Sequence, residues 1–158
     1  MPNDQTLRAH LAALFISEAA HANFDAGVAG LPATLQGKQP TGAAHTPWQV
    51  LEHMRITQRD VLDRIGNANH HALAFPEEYW PPTPTPRKSE SWENSVAAFR
   101  ADQKALAGVI ANSSVDLFGK TRPGADGILL DDLLMIADHN AYHLGELILL
   151  RRLLGAWS

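Results

Sequence analysis

Residues 137–155 read ADHNAYHLGELILLRRLLG, an apolar run broken at regular intervals by polar side chains. At about 100° per residue, Asp132, Ile136, His139, His143, Glu146 and Leu150 fall within an arc of roughly 80° on a helix. The surrounding leucines make the helix apolar around much of its circumference, and it is expected over roughly Ile128 to Leu154, ending before Gly155. His139 and His143 stand four apart, which stacks both imidazoles on one face within reach of a single metal ion. Glu146 follows three residues later on the same stripe. An isolated HxxxH arises by chance on many helices. HNAYH carries Asn140 where a zincin protease needs glutamate, so that activity is unsupported.

Working outward, three further stretches carry helical periodicity. The first runs from about Asp4 to Asp25, with Leu7, Leu11, Leu14 and Phe15 at helical spacing. The second opens at Thr46-Pro47, a capping residue followed by proline at the first helical position, and stops near Gly66. Val50, Leu51, Met54, Val61, Leu62 and Ile65 share its apolar side. The third begins around Ser89 or Ser91 and includes Trp92, Val96, Phe99, Leu106 and Ile110. No alternating β-branched run competes with these, so the expected fold class is all-α, a four-helix bundle forming a single domain over residues 1–158. Antiparallel neighbours usually need about two to eight connecting residues. The Gly66–Ser89 stretch, with its proline-rich FPEEYWPPTPTPR, is far longer. Such a connector can run the length of the bundle, and the expected topology is up-down-down-up.

Composition narrows the chemistry. With 45% hydrophobic and 19% charged residues over 158 positions, the chain has an ordinary globular balance. It contains no cysteine, which excludes thiolate zinc sites, iron–sulfur clusters, disulfide scaffolds and a cysteine nucleophile. Its 13 Lys+Arg against 17 Asp+Glu form no basic block, and nucleic acid is not an expected partner. No stretch reaches the roughly 18 apolar residues of a membrane span, and MPNDQTLRAH lacks a signal-peptide pattern, so a cytoplasmic location is expected. The eight histidines are the one excess.

His53, in QVLEHMRIT on the second helix, lies beside the arc of Val50, Leu51, Met54 and Val61. A bundle can bring it against His139 and His143, and three neutral imidazoles leave coordination positions open for water or substrate. The alternative is a partly buried histidine bonded to a backbone carbonyl. Glu18 and His21 form one ExxH, but a di-iron bundle needs two such motifs and two further glutamates. His21 is expected to line the pocket or to favour the negative end of its helix. His10 falls on a solvated face, and His45, His70 and His71 fall in loops. Replacing His70 and His71 together is expected to change neither metal binding nor stability. The loop from Gly27 to His45 is expected to cover the pocket, with Trp48 at its edge.

The four-helix pattern, the histidine on helix two and the HxxxH on helix four together resemble the DinB/YfiT-like superfamily of metal-binding bundles. The resemblance covers nearly the whole chain, above all HTPWQVLEHMRITQRDVL and ADHNAYHLGELILLRRLLG, with PEEYWPP and GADGILLDDLL similar to a subgroup. It implies a metal triad of His53, His139 and His143. Where relatives often carry glutamine, this chain has Glu146, whose carboxylate can tighten binding, hold a bound water or act as a base. The superfamily is similar in fold to enzymes that use low-molecular-weight thiols, including mycothiol-dependent maleylpyruvate isomerase and bacillithiol S-transferases. The expected function is a metal-dependent enzyme acting on a small molecule by thiol transfer or hydrolysis, with a divalent ion such as zinc, nickel or iron and a thiol cosubstrate. The alternatives are a binding module without turnover and a structural helical dimer. A homodimer is expected from the commonness of twofold assemblies and the apolar fourth helix.

Overall fold

The computed structural model describes residues 2–16 and 20–157 of the chain. Six α-helices follow in order: α1 (Pro2–Ile16), α2 (Phe24–Val28), α3 (Ala33–Gln36), α4 (Pro47–Arg64), α5 (Ser91–Ala111) and α6 (Leu129–Leu153). Among the described residues there is no strand, only an isolated bridge between Lys120 and Ile128. The fold is all-α.

Local chemistry sets the helix limits. At the start of α4, Thr46 Oγ1 accepts from Gln49 N at 3.2 Å and Gln49 Oε1 accepts from Thr46 N at 3.0 Å, a reciprocal cap with Pro47 just inside it. Gly66 (φ +75°) and Gly155 (φ +68°) adopt the left-handed backbone just beyond α4 and α6. α6 carries Asp131 and Asp132 in its first turn and Arg151 and Arg152 in its last, each sign opposing the helix dipole. The expected first helix is shorter than its periodicity implied, since residues 20–23 are not helical. Asn23 is the reason: its Oδ1 accepts from Ala26 N at 2.9 Å and caps a new helix, α2, instead of continuing the old one. Glu18 lies outside the described residues.

Two apolar clusters fill the interior. One joins Trp48, Val50, Leu51 and Met54 of α4 to Trp92, Val96 and Phe99 of α5 and to Leu144, Leu147 and Ile148 of α6. The other joins Val61 of α4, Leu106 and Ile110 of α5, Leu133 and Ile136 of α6, and Leu11 and Phe15 of α1. Early α4 and early α5 thus meet late α6, while the late parts of α4 and α5 meet early α6. Helices α4 and α5 run in the same direction and α6 runs opposite. Arg8 of α1, 8% exposed, donates to the carbonyls of Ile110, Asn112 and Val115 and so satisfies the C-terminal end of α5.

The long connector returns along α4. Leaving Gly66, it binds Asp60 through His70 Nε2 (2.7 Å) and the Tyr79 hydroxyl (2.9 Å), and its Pro84 carbonyl accepts from the Thr46 hydroxyl at 2.7 Å. His70 falls in a loop as expected, but its side chain is 6% exposed and bound to Asp60, so the expectation that its replacement leaves stability unchanged is revised. His70→Ala should cost about 1–3 kcal/mol by stranding a buried carboxylate oxygen, whereas the exposed His71 should be replaceable without effect. Urea denaturation of the two variants compares them directly.

Candidate metal centre

The elements above bring His53 of α4 against His139 and His143 of α6. One ligand atom from each of the three lies within 4.8 Å of the others. His53 and His143 are buried and His139 is half-buried. Their neighbours settle which nitrogen of two rings faces inward. His53 Nδ1 is 2.8 Å from the Tyr79 carbonyl, which can only accept, so that nitrogen carries the hydrogen and Nε2 presents a bare lone pair. His143 Nδ1 is 2.8 Å from Glu146 Oε2. The hydrogen bonds from His143 and His45, against the opposing effect of burial, hold the Glu146 carboxyl below its usual range, so it is ionised and accepts from His143 Nδ1–H. That leaves Nε2 as the His143 nitrogen available to an ion. His139 Nε2 lies 3.0 Å from His53 Nε2, close to the roughly 3.3 Å edge of a tetrahedron with metal–nitrogen bonds of about 2.0–2.1 Å.

Two of the rings, His139 and His53, are held neutral, as a metal ligand requires. Burial pushes His139 down to about 4, helped by the charge of His143 and then His53. Burial also lowers His53, against the raising effect of its hydrogen bond to Tyr79. The donor set fits a divalent ion of the zinc, nickel or iron type.

Residues absent from the sequence expectations complete the site. Trp80 is stacked on His53 (ring centroids 4.0 Å apart, planes at 2°) and on His45 (4.0 Å, 20°), so it fills the space between them. His45 Nδ1 meets the second carboxylate oxygen of Glu146 at 3.0 Å. Both Glu146 oxygens are therefore occupied by histidine N–H groups, which favours a holding role over that of a base. A cleft of about 470 Å³ opens beside the triad, lined by Val61, Phe75, Trp80 and Met135 with the polar Thr57, Asp60, Arg64 and Tyr79. Burial and Asp60 push the Tyr79 phenol up to about 12, so it remains a donor. Prolines flank Trp80 in PEEYWPP, and this stiff segment was the available sequence signal.

Other expectations are redirected. Trp48, 6% exposed, is packed in the core with Phe24 and Trp92 and is not at the edge of this cleft. The connector, not the Gly27–His45 loop, supplies the cleft wall, and only His45 at the end of that loop reaches the site. His21 is exposed, with Nδ1 on the Ala22 carbonyl, and lines a separate cavity of about 30 Å³.

The low histidine pKa values fix a sign for acid stability. A ring neutral in the fold but protonated when unfolded makes the unfolded chain bind more protons, so stability falls as pH drops below the ordinary 6.5 and continues falling to about 4 for His139. The lowered Glu146 carboxyl acts in the same direction at still lower pH. Chelator-treated protein should therefore lose thermal stability steadily from pH 7 to about 4, and a midpoint unchanged across that window would contradict the buried neutral rings.

Structure and site together define an all-helical protein with a convergent three-histidine group beside a cleft. A family model of the DinB superfamily matches residues 17–147, and the chain belongs to that superfamily. No curated protein and no solved structure matches it. Superfamily membership and the grouped histidines fit a metal-binding protein of the DinB type.

Proposed function

We propose that this chain is a single-domain, cytoplasmic, metal-dependent enzyme that acts on a small molecule by thiol transfer or hydrolysis. The observation that carries the reading is the convergence of three imidazoles, two with Nδ1 committed to an acceptor, beside a cleft large enough for a small substrate. A divalent ion held there lowers the pKa of a thiol or water and so supplies a nucleophile at neutral pH. His53, His139 and His143 hold that ion, and the Tyr79 carbonyl and Glu146 orient two of the rings. Trp80 keeps water from the rear of His53. Val61, Phe75 and Met135 receive the apolar part of the substrate, and Thr57 and Arg64 line the same cleft as its polar side. Exposed Met135, Tyr142 and Leu149 recur every seven residues on α6, which supports self-association into a homodimer.

The test is to mix metal-loaded protein with a panel of low-molecular-weight thiols and several electrophiles, alongside ester and amide substrates. Turnover that requires the metal supports the enzyme. Saturable binding without turnover across the panel would leave the alternative, a binding module of the same fold. Glu146→Gln should weaken metal affinity about ten- to a hundredfold with the fold unchanged, because the new NH₂ faces one of two histidine N–H donors. Calorimetric titration and circular dichroism read both, and wild-type affinity would make Glu146 dispensable to the site.

A further inference from the structure

A buried polar chain behind His139 ends on two atoms without partners. Gln58 is 0% exposed, and its Nε2 donates to the Phe99 carbonyl at 2.8 Å. A carbonyl only accepts, so the Gln58 amide has one orientation, and its Oε1 accepts from Asn140 Nδ2 at 2.9 Å. That bond fixes Asn140 in turn, with its nitrogen toward Gln58. Asn140 Oδ1 is buried and accepts nothing, and His139 Nδ1, on the adjacent residue, is buried and equally unpartnered. The two side chains stand on consecutive residues of α6, and no hydrogen bond joins them.

The other two rings have Nδ1–H on an acceptor, the Tyr79 carbonyl for His53 and Glu146 for His143. His139 has none. Its hydrogen sits on Nε2 instead, because His53 Nε2, 3.0 Å away, is a bare lone pair and a bond between the two nitrogens needs one hydrogen. In that tautomer Nε2 has no lone pair for an ion. Ligation through Nε2 requires the hydrogen on Nδ1, where it needs an acceptor in a buried setting.

We infer that Asn140 is a positioning residue whose Oδ1 receives the Nδ1–H of His139 when Nε2 becomes a ligand, anchored through Gln58 to the Phe99 carbonyl. The inference rests on the metal reading above. It assigns the third ring the same kind of partner the other two already have, and it explains why a fully buried glutamine spans the core between α4 and α5.

The experiment is zinc titration of chelator-treated wild type, Asn140→Leu and Asn140→Asp at one neutral pH, with nitrogen-15 NMR of the histidine rings before and after zinc. Both variants remove the donor to Gln58, so their difference isolates the acceptor facing His139. Asn140→Leu should lose about ten- to a hundredfold in zinc affinity, while Asn140→Asp, which keeps an acceptor oxygen, should bind at least as tightly as wild type. In wild type, the His139 hydrogen should move from Nε2 to Nδ1 on loading. Equal losses in both variants, no loss in either, or a loaded His139 with its hydrogen still on Nε2 would overturn the inference. Should Asn140→Leu fail to fold, Asn140→Asp affinity and the wild-type tautomer decide. Wild type without zinc affinity would remove the metal reading and this inference together, whereas zinc bound alike by all three proteins would remove Asn140 alone.

Discussion

Replacing His53 with alanine is expected to abolish tight metal binding and leave a folded helical protein. The loss should exceed the roughly ten- to hundredfold effect of removing a ligand's hydrogen-bonding partner, since His53 is the only member of the triad contributed by α4. The variant also carries a structural cost. The Tyr79 carbonyl loses its donor and Trp80 loses one stacked face, for which about 1–3 kcal/mol is the expected scale. Even metal-free, the variant should therefore melt below metal-free wild type, with the connector loosened first. Wild type alone should gain stability on loading, by an amount that grows logarithmically with free metal above its dissociation constant. Circular dichroism and metal titration, each with and without chelator, separate the two effects. Retained wild-type affinity would refute the three-ligand site. Complete unfolding without metal would make His53 a core residue first.

Phe99→Ala should have the largest effect on stability. Phe99 is 1% exposed at the centre of the cluster shared by α4, α5 and α6, and its ring stacks on Phe24 with centroids 4.0 Å apart. Truncation removes this burial and leaves a cavity, at a cost of about 3–5 kcal/mol. That is a large part of the roughly 5–15 kcal/mol that holds a domain together. The backbone carbonyl that anchors Gln58 remains in the variant, so protein that stays folded should bind zinc within a few-fold of wild type. Urea denaturation checks the first expectation and calorimetry the second. A loss below about 1 kcal/mol would mean that the core closes around the gap.

The three later long helices were legible from boundary chemistry at α4 and α6 and from apolar period at α5. Thr46-Pro47 opens α4, Gly66 and Gly155 close α4 and α6, and the apolar periodicity of Trp92, Val96, Phe99, Leu106 and Ile110 marks α5. Periodicity alone misled at Asn23, where an apolar pattern continued but a side-chain cap redirected the backbone. The pairing of His139 with His143 was readable from spacing along one helix, whereas His53 joined them through the packing a bundle allows and the family resemblance. What surrounds the triad was not readable. His45, Tyr79, Trp80 and His70 belong to irregular segments, whose placement is set by long-range bonds to Glu146, His53 and Asp60. No local period encodes such bonds. His53 also illustrates that the two readings of a buried histidine are compatible: its bond to a backbone carbonyl is what leaves its other nitrogen free as a ligand.

The most direct test is element analysis of untagged protein, stripped with chelator, reloaded with one divalent ion and desalted, beside a variant in which His53, His139 and His143 are all replaced by alanine. Wild type should retain one ion per chain and the triple variant none. Equal retention by the two proteins, or none by wild type, would contradict a metal centre at these three histidines.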